Sequence, residues 1–283
     1  MKADITIITV NFKSDRLLEL NVENIAKRNK DIKIFWIVTE NNIPIKNKNA
    51  LVNHDNIDLH FLPEVSDGEV RKKYEKQKHL TNMDLDRRHW HHAIGLNNCL
   101  IDEIDSRFLL SLDPDCFIMS PISKSIQYIL DNKLTFFGTP LASDTGNVVS
   151  GTDDFVNKPY ATGMFIDLKK FDLKNIDYSP AFTSMQSRIK YGNVNNRVGF
   201  RLFEHFKLKN YEGLKLCSPS KCDSCKSILG KDNSFAENYY FDDNLFWGFH
   251  IHMNKHRLRP NLSEAQVEKV LRKNNGTKNI YHS

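Results

Sequence analysis

Ile5-Thr6-Ile7-Ile8-Thr9-Val10 is an unbroken, largely β-branched run, and a second apolar run follows at Ile34-Phe35-Trp36-Ile37-Val38. Runs without polar alternation suit strands buried on both faces, as in a parallel sheet. Between them, Asn11-Phe12-Lys13-Ser14-Asp15 breaks the first strand. Ser14 or Asp15 is placed to cap a helix carrying Leu17, Leu18, Leu20, Val22 and Ile25. Strand, helix, strand is a βαβ unit with an expected right-handed crossover.

Outward from this unit, Phe108-Leu109-Leu110-Ser111-Leu112 reads as a third buried strand, ending abruptly at Asp113-Pro114-Asp115. Leu59-His60-Phe61-Leu62 is a weaker strand candidate, and the charged stretch from Asp67 to Arg88 reads as helix or loop. An amphipathic helix is expected from about Trp90 to Ile104. Further on come a helix at Ile122–Asp131, strands at Thr135–Gly138 and Ala161–Leu168, and a helix near Gly199–Lys207. A capped helix from Ser263 to Lys273 closes the chain. The fold class is α/β: a nucleotide-binding, Rossmann-like sheet, mixed but mainly parallel, flanked by helices and followed by a C-terminal extension.

Composition narrows the function. The chain has 283 residues, 40% of them hydrophobic and 27% charged, which is too apolar for disorder. Its net charge of +5 suits an anionic ligand such as a nucleoside diphosphate. The lysines are scattered and no basic stripe forms, so nucleic acid is not the expected partner. The first residues lack a signal-peptide apolar region, and no run approaches the roughly 18 apolar residues of a membrane helix. Five Cys, an odd number, argue against a disulfide framework. A cytoplasmic protein is expected, with room for peripheral contact at the inner membrane face.

The chemistry concentrates at Asp113-Pro114-Asp115. Ligands of open parallel sheets bind at the carboxyl ends of the strands. Two carboxylates there need a partner, because a buried unpaired charge is costly. A divalent Mn²⁺ or Mg²⁺ is an effective one, taking one or two carboxylates plus phosphate oxygens. The plainer alternative is a turn in which Pro114 ends the strand and Asp115 caps a neighbour. Late in the chain, Phe249-His250-Ile251-His252 places two imidazoles on one face of an extended segment. His250 is the favoured third metal ligand, against a reading as half-buried strand histidines. Cys217, Cys222 and Cys225 have a spacing open to a structural Zn²⁺ or to reduced loop thiols. The aromatic patch from Tyr239 to Phe249 reads as sugar stacking or as packing of the C-terminal segment.

Four stretches together resemble the family 2 glycosyltransferases: Ile7-Ile8-Thr9-Val10-Asn11-Phe12, Val38-Thr39-Glu40-Asn41-Asn42, His92-Ala93-Ile94-Gly95-Leu96-Asn97, and Leu110-Ser111-Leu112-Asp113-Pro114-Asp115. The resemblance covers about residues 4 to 120. It implies a single GT-A domain over 1–283, with a nucleotide-sugar half (1–120), an acceptor-side half (121–260) and a C-terminal helix and tail (261–283). It also implies a nucleoside-diphosphate sugar donor, a carbohydrate or glycolipid acceptor, and inversion at the anomeric carbon. Thr9 and Asn11 would then line the nucleotide pocket and Glu40, where the family usually has Asp, would contact the base. Asp113 and Asp115 would serve ribose and metal.

Inversion needs a carboxylate base near the acceptor hydroxyl. Arg197 stands where similar sequences carry an acid, which leaves Asp153, Asp154 and Glu204 as the base candidates. Two other classes stay open. A catalytically silent nucleotide-sugar binder fits Arg197. A nucleotidyl- or phosphate-group transferase fits the sheet but not the absence of glycine from Asn11–Asp15.

Overall fold

The computed structural model describes residues 2–12, 14–40, 51, 54–66, 68, 69, 72, 86–140, 159–180, 198–208, 211–216, 218, 236–241, 245–251, 265 and 267–271. Its large sheet has seven strands: β1 (Ile5–Asn11), β2 (Ile34–Glu40), β3 (Ile57–Leu62), β4 (Phe108–Ser111), β6 (Phe136–Pro140), β7 (Pro159–Asp167) and β8 (Gly213–Lys215). Their order is β3-β2-β1-β4-β7-β6-β8. The β3, β2, β1 and β4 pairings are parallel, β7 runs antiparallel to both β4 and β6, and β8 is parallel to β6. The sheet is thus mixed and mainly parallel, as the sequence implies.

The apolar runs are explained by helices on both faces. Every residue of β1 is buried. Ile5 and Ile7 pack with Leu18, Val22 and Ile25 of α1 (Asp15–Arg28), whereas Ile8 and Val10 pack with Ala93 and Leu96 of α2 (Asp86–Asn98). Trp36 and Val38 of β2 face the first group and Ile37 the second. A strand with two such faces alternates between cores rather than between core and water.

The helix α2 lies hard against β1. A Cβ on Gly95 would come within 2.7 Å of the Val10 Cγ2 atom, closer than side chains pack. Expected to reach Ile104, α2 instead ends at Asn98. Its last turn tightens, with Cys99 N donating to Leu96 O and Leu100 N to Asn97 O. The Asn97 side chain then reaches sideways to Asp177, Ser179 and the Tyr178 N–H, fixing the helix end to that segment.

A second, three-stranded antiparallel sheet is ordered β5-β10-β9, from β5 (Cys116–Ile118), β9 (Glu237–Tyr240) and β10 (Phe246–His250). Here the aromatic patch serves packing. Tyr239, Phe241 and Trp247 join the main core, and Phe249 stacks on Phe117 with ring centroids 5.3 Å apart. Trp247 Nε1 donates to Ser125 Oγ of α3 (Ile122–Asp131) at 3.1 Å. A helical stretch at 267–271 buries Val267 and Leu271 in a cluster that includes Leu17, Leu20 and Phe249. Among the described residues, no helix is long and apolar enough to cross a membrane.

Candidate functional site

The carboxyl ends of β1, β2 and β4 lie side by side, with Asn11 opposite Glu40 in register. Just past β4, the chain turns through Asp113-Pro114-Asp115 into β5. That turn is clasped from several sides. Cys116 N donates to Asp113 O at 3.0 Å, and Asn21 Nδ2 of α1 donates to Cys116 O at 2.8 Å. Leu112 N donates to Ile8 O, and Ile251 N, just beyond β10, donates to Asp115 O. Thr9 belongs to the clasp. Its hydroxyl donates to Leu112 O and accepts from Trp36 Nε1, and it is wholly buried. The Thr9 hydroxyl thereby helps to hold the end of β4.

Both oxygens of Asp113 have neighbours. Thr162 Oγ1 of β7 donates to Oδ2, and His92 Nε2 of α2 lies 3.1 Å from Oδ1. Gly163, next to Thr162, has a positive φ of 70°, a backbone form that side chains resist. Burial alone would raise the Asp113 pKa, but the charge and hydrogen bonding of His92, with the Thr162 hydroxyl and His250, bring it down to about 2. Asp115 Oδ1 lies 3.1 Å from His250 Nε2. Burial would lower the His250 pKa, but the Asp115 carboxylate, aided by Asp113 and Glu237, leaves it raised.

One ligand atom each from Asp113, Asp115 and His250 falls within 4.8 Å of the others. Two carboxylates and an imidazole so gathered fit the donor set of a divalent first-row or magnesium-type cation. The two half-buried carboxylates, set close together, have the charge that such an ion neutralises. Asn11 has one buried amide oxygen with no hydrogen-bond partner, while its Nδ2 donates to Asp15 Oδ1. Glu40 is buried at the end of β2.

The structure therefore brings together Asp113, Asp115 and His250, the last of which follows Asp115 by 135 residues in the chain. It leaves Glu204 half-buried on α4 (Phe200–Leu208), outside that cluster. Asp153, Asp154, Arg197, His252 and the three cysteines Cys217, Cys222 and Cys225 lie outside the described residues. Three neighbours of the cluster were not singled out by sequence: His92, Thr162 and Glu237. His92 opens the stretch His92–Asn97, and the run His89-Trp90-His91-His92 in a helix preceding the acidic turn is its one signal. Thr162 and Glu237 carried none, because both reach the site across a sheet.

No protein-family model matches the sequence, and no curated protein matches it. Solved structures do. A structure of the galactosyltransferase LgtC in complex with donor and acceptor sugar analogs superimposes with a TM-score of 0.53 at 12% identity, covering 95% of this chain and 95% of that one. Mouse xyloside xylosyltransferase 1 in its apo form gives a TM-score of 0.46 at 10% identity, over 76% of this chain and 85% of that one. The likeness to LgtC extends over nearly the whole of both chains, and the architecture of this protein is the GT-A fold.

Proposed function

We propose that this chain is a metal-dependent glycosyltransferase that moves a sugar from a nucleoside-diphosphate donor to a hydroxyl of a carbohydrate or glycolipid acceptor. The observation that carries the reading is the convergence of Asp113, Asp115 and His250 at the carboxyl ends of the parallel strands. These three residues would hold Mn²⁺ or Mg²⁺. When bound, the ion would anchor the donor diphosphate and offset charge on the departing nucleotide.

The protein's own groups supply the rest. Asp113 is held by Thr162 and His92 on the side of the large sheet, so its carboxylate meets the ion already oriented. Asn11 presents a buried acceptor that costs stability until a donor N–H or O–H of the nucleotide meets it. Glu40, in register beside it, offers a second acceptor to the base. The family 2 resemblance adds inversion at the anomeric carbon, with Asp153, Asp154 or Glu204 taking the acceptor's proton.

Calorimetric titration with UDP, GDP, CMP and dTDP, each with and without Mn²⁺, tests the reading. Tight binding of one nucleoside diphosphate only with metal is expected and names the donor. Metal-independent binding, or none on folded protein, overturns it. Stereochemistry has its own test, NMR of the product's anomeric centre. Retention there would remove the inverting mechanism and leave sugar transfer standing.

A further inference from the structure

Glu237 is a buried acid that neither the acidic turn nor the nucleotide end of the sheet accounts for. It starts β9 and stands directly opposite His250 in the antiparallel β9–β10 pair. Residues opposite each other in such a pair project from the same face, with Cβ atoms roughly 4.5–5.5 Å apart. Cys116 stands opposite His250 on the other side, so Glu237, His250 and Cys116 form one row across the small sheet. Two hydroxyls hold the Glu237 carboxylate: Ser218 Oγ donates to Oε1 at 3.3 Å, and Tyr239 OH to Oε2 at 3.1 Å. All four groups, Glu237, His250, Ser218 and Tyr239, are at least nine-tenths buried.

A carboxylate fixed in a dry site costs free energy unless something answers its charge. The two hydroxyls engage both oxygens and fix the carboxylate in place. His250 is the ionisable base set across from it in the sheet. Histidines that ligate metals through one ring nitrogen are commonly oriented by a carboxylate that contacts the ring from elsewhere, and losing that partner typically weakens metal binding by about 10–100-fold. His250 turns Nε2 to Asp115.

We propose that Glu237 is a positioning residue that orients His250 and raises its basicity as a ligand for the divalent ion, with Tyr239 and Ser218 setting the carboxylate's angle. The proposal rests on the metal reading of Asp113, Asp115 and His250. It concerns the small sheet alone and gives no role to Glu237 in contact with the sugar or the ion.

Binding of Mn²⁺ alone to the full chain, followed by loss of the free-ion EPR signal, separates the two ideas. Wild type and Asp115→Asn test the site: wild type binds, and Asp115→Asn binds at least about 100-fold more weakly. Wild type that does not bind, or Asp115→Asn that binds equally, ends the metal reading and this inference with it. Glu237→Gln keeps the shape and removes the charge. Folded by circular dichroism and melting, it should bind Mn²⁺ about 10–100-fold more weakly, with an altered ¹⁴N modulation of the bound ion from His250. Affinity within twofold of wild type and unchanged modulation would overturn the role of Glu237 while leaving the site intact. Should Glu237→Gln not fold, Tyr239→Phe decides: several-fold weaker Mn²⁺ binding supports the positioning role, and wild-type affinity refutes it.

Discussion

The large sheet and the small sheet meet at the same cluster by different routes. On the large sheet, Asp113 and Asp115 leave β4, whose parallel neighbour β1 is packed between two helical layers. On the small sheet, His250 arrives on β10 between β5 and β9, a strand that precedes it by some hundred and thirty residues and one that just precedes it. The acids thus stand on a frame built early in the chain and braced on both faces. The imidazole stands on a frame that exists only once distant segments have paired. Rigidity at the acidic side and dependence on long-range assembly at the imidazole side are the expected consequence.

The largest effect should come from breaking the acidic side. Asp115→Ala is expected to weaken metal-dependent nucleotide binding by at least about 100-fold, more than the loss of an orienting partner costs. The melting temperature should barely move, since the Asp115 side chain is at a strand end and partly open to solvent. Calorimetry with and without Mn²⁺, beside a thermal melt, checks both halves. Undiminished binding would show that the cluster is only an ion pair between Asp115 and His250.

The brace itself is tested at Gly95. A Cβ there would meet Val10, a β-branched residue with little freedom to turn aside. Gly95→Ala should cost about 1–3 kcal/mol of stability and roughly 2–4 °C of melting temperature for each of these. Metal affinity of the folded fraction should hold. An unchanged melting temperature would mean that α2 can lift from β1 without penalty.

His92 sharpens the comparison from the large-sheet side. Its imidazole lies 3.1 Å from Asp113, on a helix pinned at its far end through Asn97. His92→Ala is expected to weaken Mn²⁺ binding by about 10-fold, at the lower end of what such partners contribute, because Thr162 still holds the other oxygen. Titration of Mn²⁺ into the variant measures it. A loss as large as that of Asp115→Ala would make His92 a ligand rather than an orienting group.

The two frames were unequally legible in the sequence. Ile5–Val10, Ile34–Val38 and Phe108–Leu112 announce buried strands because both their faces are apolar, and the structure has β1, β2 and β4 there. Ile122–Asp131 is a helix with the expected bounds. The acidic turn was readable since its chemistry and its place at a strand end coincide. The small sheet was not. β5 is three residues long and β9 four, too short for a periodic pattern, and what joins them is pairing across the chain. Nothing in the sequence therefore marks Glu237, and a strand-end hydroxyl such as that of Thr9 gives no hint that it will bond to Leu112 and Trp36.

The smallest effect concerns the anchor of α2, and it is a matter of pH. Burial would raise the Asp177 pKa, but hydrogen bonds from Ser179, Arg201 and Asn97 outweigh it and leave it lowered. The unfolded chain has an ordinary Asp, with a pKa of about 3.9. The stabilising contribution is therefore complete above that value and is lost as pH falls towards the folded pKa, because the unfolded state then binds more protons. Asp177→Asn removes this term, so its melting temperature should fall less steeply than that of wild type below about pH 4. The difference should be small, since the Asp177–Arg201 pair is partly exposed and screened. Parallel thermal melts between neutral and acid pH measure it. Identical slopes would show that the segment 177–179 is held by the Asn97 contacts to Tyr178 and Ser179 alone, and that the helix bearing His92 is anchored without help from charge.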